Sequence, residues 1–149
     1  MTKTAGNKES FNTLQWVLNN AEKGFYLFTA SALMQRKVAE HYKDYGISIY
    51  DYTKNNAKYS FGKLAGWANK QKTKIFFVIN MQDAFKDESD MQNLNLSRDL
   101  LSKTGSVWIF GMTKFADDKL VNAAMDFYSF IRVSADFDKL QPRTANSRA

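Results

Sequence analysis

The chain has 149 residues, the length of one ordinary domain, and its 44% hydrophobic and 24% charged residues are typical of a folded globular protein. It contains no cysteine, which excludes disulfides, thiol catalysis and cysteine-ligated metals and indicates a cytoplasmic location. No apolar run reaches the roughly 18 residues of a membrane span, and the polar N-terminus has no signal-peptide pattern, so we expect no membrane partner.

The net charge of +6 is concentrated in the first half of the chain, because residues 1–74 carry 12 of the 21 basic residues but only 5 of the 15 acidic ones. Residues 52–74 contain six lysines and no acid, interleaved with aromatic residues. This composition predicts at most weak nucleic-acid binding, because lysines in such a stretch more often form a solvated helix face. The candidate nucleic-acid contacts are Lys54, Lys58, Lys63, Trp67 and Lys70. An acidic segment, residues 83–90, is complementary in charge and permits self-association.

Helical and strand patterns alternate through the first third of the chain. Apolar residues at spacings of three and four predict a helix over residues 10–22, with Ser10 as its N-cap. Residues 25–29 are almost entirely apolar and aromatic, which predicts a strand buried on both faces. Ser31 then caps a second helix that ends before Gly46, and residues 47–51 are predicted as the second strand.

The alternation continues to residue 133. The predicted elements are a helix over about 60–71, a strand over 74–79, a helix over about 90–103, a strand over 106–110, a helix over about 115–125 and an edge strand over 128–133. Strands separated by single helices run parallel, because only a long crossover can join parallel neighbours. The sequence therefore predicts a three-layer αβα sandwich with a mainly parallel sheet of about five strands, in a P-loop or Rossmann-like layout. This single α/β domain spans residues 10–140, between a flexible N-terminus, residues 1–9, and a disordered tail, residues 141–149.

Ligands of open parallel sheets bind at the carboxyl ends of the strands. The polar residues that follow the predicted strands are therefore the ligand-binding candidates Ser31, Asp51, Asn80, Asp83 and Thr113. Two of these acids, Asp51 and Asp83, have the chemistry to hold Mg²⁺ together, but acids at helix N-termini usually act as caps, and we predict no metal site.

No catalytic set is recognisable in the sequence. Residues 28–34, which follow the first strand, contain no glycine and no Gly-Lys-Ser/Thr, so this turn cannot hold a triphosphate. The glycines of a dinucleotide-binding turn are missing as well, and we predict no cofactor. His41 has no serine or carboxylate at a recognised motif spacing, which indicates a surface histidine.

Two further ligand-binding candidates lie on the predicted helix over residues 90–103. Asn95 and Arg98 are three residues apart and share one helix face. Arg98 is predicted to pair with Asp126 or Asp83 and so to attach the last helix to the sheet, which is a structural role. The alternative is that Asn95 and Arg98 bind an anion in a degenerate nucleotide pocket.

Three short segments, residues 94–99 (LNLSRD), 110–113 (FGMT) and 126–132 (DFYSFIR), together resemble an N-terminal α/β domain of bacterial proteins of unassigned function. In that family the domain precedes a STAND-type ATPase or a tetratricopeptide region. The resemblance implies a bacterial sensing or adaptor module in a signalling or defence-type system, whose protein partner would be a repeat protein or an ATPase.

The predicted function is accordingly a non-catalytic sensing or adaptor module that binds a protein partner. A first alternative is a degenerate nucleotide-binding domain, or an enzyme, acting at the carboxyl ends of the strands. A second alternative is weak nucleic-acid binding through residues 52–74.

Overall fold

The computed structural model describes residues 2–20, 22–55 and 60–137 of the chain. The predicted tail and Lys58 lie outside the described residues. The strands are β1 (Gly24–Thr29), β2 (Ile47–Asp51), β3 (Ile75–Ile79), β4 (Val107–Met112) and β5 (Ile131–Asp136). The helices are α1 (Thr2–Asn20), α2 (Ala32–His41), α3 (Tyr52–Asn55), α4 (Leu64–Asn69), α5 (Glu88–Ser102), α6 (Lys114–Ala123) and α7 (Met125–Tyr128). None of the described helices is both long and apolar enough to cross a membrane.

The five strands form one sheet in the order β2-β3-β4-β1-β5, and every neighbouring pair is parallel. Successive side chains of a strand point to opposite faces, so two separate cores form. Phe25, Phe76, Trp108 and Phe110 pack with α4 to α7 on one face of the sheet. The residues Tyr26, Phe28, Phe77 and Ile109 pack with α1 and α2 on the other face. The predicted three-layer α/β sandwich with a parallel five-stranded sheet is confirmed.

The first helix begins at Thr2 rather than at Ser10, so most of the predicted flexible N-terminus is helical. Ser10 is therefore not an N-cap. It lies inside α1, is 3% exposed, and its hydroxyl donates a hydrogen bond to the carbonyl of Asp136 at 2.6 Å. A serine cannot be assigned to a cap from sequence alone, because the same hydroxyl also serves as a tertiary contact.

The last strand also differs from its prediction. Residues 125–128 form the short helix α7, which buries the Phe127 ring completely, and β5 begins only at Ile131. The predicted helix over residues 60–71 starts as a 3₁₀ turn, Phe61–Lys63, and continues as the shorter α4. Short apolar segments fit either a buried helical turn or a strand, and the packing of Phe127 against Phe110 and Phe25 decides this one.

Candidate functional site at the carboxyl edge of the sheet

The strand order places a topological switch point at β1. After β1 the chain crosses to the far edge of the sheet, returns through β2, β3 and β4, and then passes β1 to form β5. The helix that follows β1 packs on one face of the sheet and the helices that follow β3 and β4 pack on the other. A crevice between such diverging connections is where open α/β sheets bind ligands.

The turn between β1 and α2 is short. Only Ala30 and Ser31 separate the strand from the helix, and the N–H of Ala30 donates to the carbonyl of Met112 at 3.0 Å. The Ser31 hydroxyl accepts from the N–H of Met34 at 3.2 Å, so it serves as the N-cap of α2, as predicted. This turn has neither the glycines nor the lysine with which a P-loop surrounds phosphate.

Gln35 fills the crevice between β1, β3 and β4. Its side chain is fully buried, and its Nε2 donates to the carbonyl of Ala30 at 3.0 Å and to Oε1 of Gln82 at 3.2 Å. Its Oε1 accepts from the N–H of Asn80 at 2.6 Å. One amide thus joins the ends of two strands and the turn that follows β3.

Gly111 makes room for this arrangement on β4. A Cβ atom at this position would lie 2.6 Å from Cζ of Phe28 and 3.1 Å from Oε1 of Gln35. The first distance is shorter than carbon atoms tolerate, so a side chain here would displace the buried Phe28 ring. The crevice is therefore packed by the protein's own side chains.

Asn80 extends the hydrogen-bond chain toward β2. It adopts a left-handed backbone conformation, with φ of 57° and ψ of 41°, which asparagine tolerates better than most residues. Its Nδ2 donates to Oδ1 of Asp51 at 2.9 Å, and its Oδ1 accepts from Nε2 of Gln82 at 2.9 Å. Arg36 Nε donates to Oδ2 of Asp51 at 3.2 Å. We call Gln35, Arg36, Asp51, Asn80 and Gln82 the carboxyl-edge network.

Asp51 and Asp83, the two acids with the chemistry for magnesium but predicted to hold no metal, are joined through Thr53. The N–H of Thr53 donates to Oδ1 of Asp51 at 3.0 Å, and its hydroxyl donates to Oδ2 of Asp83 at 2.6 Å. Within the part of the chain that the structure describes, no three histidine, cysteine or acidic side chains come together as metal ligands. The carboxylates here are used as hydrogen-bond acceptors.

Thr113 lies at the end of β4, on the same edge as Ser31 and Asp51. Its hydroxyl accepts from the N–H of Ala116 at 3.2 Å and caps α6. The hydroxyls of Ser31 and Thr113 thus each satisfy one backbone N–H in the first turns of the two helices that border the switch point.

Asn95 and Arg98 connect α5 to the last helical turn rather than to the carboxyl-edge network. Arg98 Nη1 donates to the carbonyl of Asn95 at 2.6 Å, and its Nη2 lies 3.8 Å from Oδ2 of Asp126, so the predicted pair with Asp126 is present. The guanidinium also lies 5.7 Å from the centre of the Phe130 ring. Asn95 Oδ1 accepts from the N–H of Phe127 at 2.6 Å. These contacts agree with the structural role predicted for Arg98.

The candidate nucleic-acid residues are distributed along the sheet. Lys54 follows β2 at the carboxyl edge, whereas Lys70 ends α4 on the side where β3 begins. Trp67 is half-buried, with its ring 5.3 Å from that of Tyr50 and 5.4 Å from that of Phe76. Its ring faces other aromatic side chains, so the geometry gives Trp67 a packing role.

Burial shifts the pKa values of two side chains near the carboxyl edge of the sheet. Asp117 on α6 is partly buried, and desolvation raises the pKa of its carboxyl group even though Lys114 Nζ lies 3.7 Å from its Oδ2. Burial also raises the pKa of the Tyr52 hydroxyl, which follows β2. Both groups are therefore held toward their neutral forms.

Sequence reasoning missed Gln35 and Arg36. The signal was present, because Gln35 lies three residues before the buried Val38, on the same side of α2, and four residues after the helix cap Ser31. A glutamine on the inner side of a helix must find buried partners, so its position indicates a polar network under the helix.

A cleft of about 520 Å³ adjoins the network between residues 82–91 and α6. Phe85, Met91 and Ala116 form apolar parts of its wall. Phe115 is 69% exposed at its rim, with Lys119 Nζ 4.3 Å from the ring centre. We call this the edge cleft.

The chain resembles solved structures of replication initiators. Domain III of DnaA from Thermotoga maritima superimposes with a TM-score of 0.57 at 12% identity, over 95% of this chain and 66% of that one. AMPPCP-bound DnaA from Aquifex aeolicus gives a TM-score of 0.53 at 11% identity, over 87% of this chain and 46% of that one. A replication initiator DnaA bound to AMPPCP and single-stranded DNA gives 0.54 at 11% identity, with the same coverage. At such identities the similarity establishes the fold alone.

No protein-family model matches the sequence, and no curated protein matches it either. The resemblance to the N-terminal domain of STAND and tetratricopeptide proteins is wrong, because the similar solved structures are DnaA domains. The FGMT segment contains the end of strand β4 and the helix cap Thr113, which are features of the fold rather than of one family. The comparisons show instead that the chain shares the α/β fold of the DnaA structures.

Proposed function

We propose that this protein is a degenerate nucleotide-binding domain, which hydrolyses no nucleotide and acts as a binding module for a protein partner. The observation that carries the proposal is the buried Gln35 side chain, which occupies the crevice at the switch point of the sheet. The domain keeps the architecture of a nucleotide-binding fold, but its own hydrogen bonds replace those that a ligand would make there.

The carboxyl edge of the sheet lacks the chemical groups that usually bind phosphate. A helix N-terminus binds phosphate through free backbone N–H groups, but Ser31 caps the first turn of α2. Two of the nearby cations, Arg36 and Lys114, already have carboxylate partners. Arg36 donates to Asp51, and Lys114 Nζ lies 3.2 Å from Oδ1 of Asp118.

Binding of a protein partner is supported by apolar side chains that remain exposed. Leu96, Phe115 and Met125 are 77%, 69% and 69% exposed. Single exposed apolar residues are ordinary, but three large ones on the helices of one layer indicate surfaces available for a partner. One similar solved structure is a DnaA bound to single-stranded DNA, and nucleic-acid binding by this chain is therefore tested separately below.

Calorimetry and a phosphate-release assay test the proposal together. ATP, ADP and GTP, each with Mg²⁺ at millimolar concentration, should give no saturable heat, and phosphate release should equal that of the protein-free control. Asp51→Asn should behave like the native chain, as should Asp44→Asn, a control at an exposed acid outside the network. Turnover that Asp51→Asn abolishes and Asp44→Asn retains would contradict the proposal. Saturable heat that is lost in Phe115→Ala would also contradict it and would place a nucleotide in the edge cleft.

A further inference from the structure

The lysine-rich segment and α5 together form an outward surface with a definite pattern. On α4 and the turn before it, the exposed positions Lys63, Gly66 and Lys70 are spaced by three and four residues. On α5, the exposed positions Leu96, Leu100 and Lys103 are spaced by four and three. Residues at these spacings share one side of a helix, so each helix presents a continuous outward row. We call the two rows the α4–α5 face.

The two rows are close enough to act as one surface. The turn Phe61–Lys63 packs against α5, and a Cβ atom at Gly62 would lie 3.7 Å from Oγ of Ser97. Ser97 is buried and follows Leu96 in sequence, so the turn that carries Lys63 packs on the side of α5 next to its outward row. A Cβ atom at Gly66 would meet nothing within 4 Å, which leaves that part of the α4 row open.

The α4–α5 face combines apolar and basic groups. Leu96 and Leu100 are 77% and 48% exposed, which is unusual for leucines spaced by one helical turn. Lys63, Lys70 and Lys103 are exposed as well, and residues 52–74 contain no acid. On α5, the exposed Asp99 lies four residues before Lys103, so three lysines and one acid leave this face with an excess of positive charge. A face with exposed leucines and an excess of lysines is complementary to a helix that carries an apolar stripe and carboxylates.

Nucleic acid fits this surface less well. Stacking on bases needs an exposed aromatic ring, and Trp67 instead packs against Tyr50 and Phe76. The large apolar side chains exposed on α5 here are leucines, which offer no planar surface.

We infer that the α4–α5 face docks an amphipathic acidic helix of a partner protein. The inference rests on the proposed function, since it identifies the surface through which the binding module would act. It uses none of the residues of the carboxyl-edge network, so nucleotide turnover would refute the proposed function without bearing on this surface.

Fluorescence polarisation with a designed peptide tests the inference. The probe is a labelled peptide of about 18 residues, or roughly 27 Å of helix, with leucines on one face and glutamates on its flanks. Single-stranded oligo(dT) of similar length is the competing probe. We expect saturable peptide binding that K63E/K70E weakens by about ten- to a hundredfold. Leu96→Ser with Leu100→Ser should weaken it as well without changing the salt dependence.

The matched control is K23E/K37E, which changes the net charge equally at two exposed lysines outside this face. This variant should bind the peptide as tightly as the native chain, and circular dichroism should show that all variants are folded. Equal losses in K63E/K70E and K23E/K37E would show only a general charge effect and would overturn the inference. Oligo(dT) binding that is tighter than peptide binding and is lost in K63E/K70E would assign the surface to nucleic acid instead. No peptide binding at millimolar concentration would also overturn it.

Discussion

Replacing Gln35 with alanine should destabilise the fold strongly, because the side chain satisfies several buried groups at once. It accepts from the N–H of Asn80 and donates to the carbonyl of Ala30, and Asn80 and Ala30 are both fully buried. Gln82 is only half-buried, so water can replace its bond. A buried polar group left without a partner costs about 1–3 kcal/mol. Two such groups give a loss of about 2–6 kcal/mol, which the better helix propensity of alanine reduces only by a few tenths.

Urea unfolding followed by circular dichroism measures this loss, and the midpoint of thermal unfolding should fall by roughly 5–20 °C. The matched control is Gln92→Ala, which removes the same amide from an exposed position of α5 and should change the free energy of unfolding by less than about 0.5 kcal/mol. If Gln35→Ala were no more destabilising than Gln92→Ala, the carboxyl-edge network would not hold the strand ends together. The reasoning about a crevice filled by the protein itself would then fail.

Three further predictions concern other parts of the molecule. Arg98→Ala should lower the free energy of unfolding by about 1–2 kcal/mol in urea titrations. The loss is smaller than for a fully buried ion pair because the Asp126 side chain is 66% exposed. An unchanged free energy of unfolding would refute the structural role of Arg98. Asp117→Asn should raise the thermal midpoint at neutral pH, because burial raises the pKa of this carboxyl group and so penalises its charged form. The gain should shrink as the pH falls through that raised pKa and vanish below about 3.9, the unfolded value, whereas a pH-independent gain would contradict the assignment. Single-stranded DNA should bind no tighter than about 10⁻⁴–10⁻⁶ M at physiological salt in anisotropy titrations, and nanomolar affinity that depends on Lys63 and Lys70 would contradict this.

The architecture was predictable from the sequence because its signals are local and repeated. Buried strands such as residues 25–29 and 106–110 are apolar at nearly every position, and the intervening helices show apolar spacings of three and four. Once strands alternate with single helices, the parallel sheet and its right-handed crossovers follow from chain connectivity. The cap Ser31 was predicted correctly because a cap acts within a few residues of its own position, whereas Ser10 has the same chemistry and lies inside α1.

The carboxyl-edge network depended on contacts between distant segments. Gln35 meets Asn80 across 45 residues, and Asn80 meets Asp51 across 29. Neither separation leaves a periodic pattern in the chain. The sequence showed that glycines and a lysine were missing from the first turn, but only the tertiary structure showed that a glutamine occupies the space they leave.

The exposed surface and the last strand also combine features that the sequence determined with features that only the tertiary structure decided. The sequence alone determined where the lysines lie, but not that Leu96 and Leu100 are exposed on the helix that packs next to them. Similarly, the apolar run over residues 128–133 predicted an edge strand, whereas the fit of Phe127 into the core decided that a helical turn precedes β5. Hydrophobic patterning in the sequence determines which residues are buried. Side-chain packing between the layers decides which segments contact each other. Packing depends on side-chain shapes and distances across the fold, which no single position in the sequence encodes.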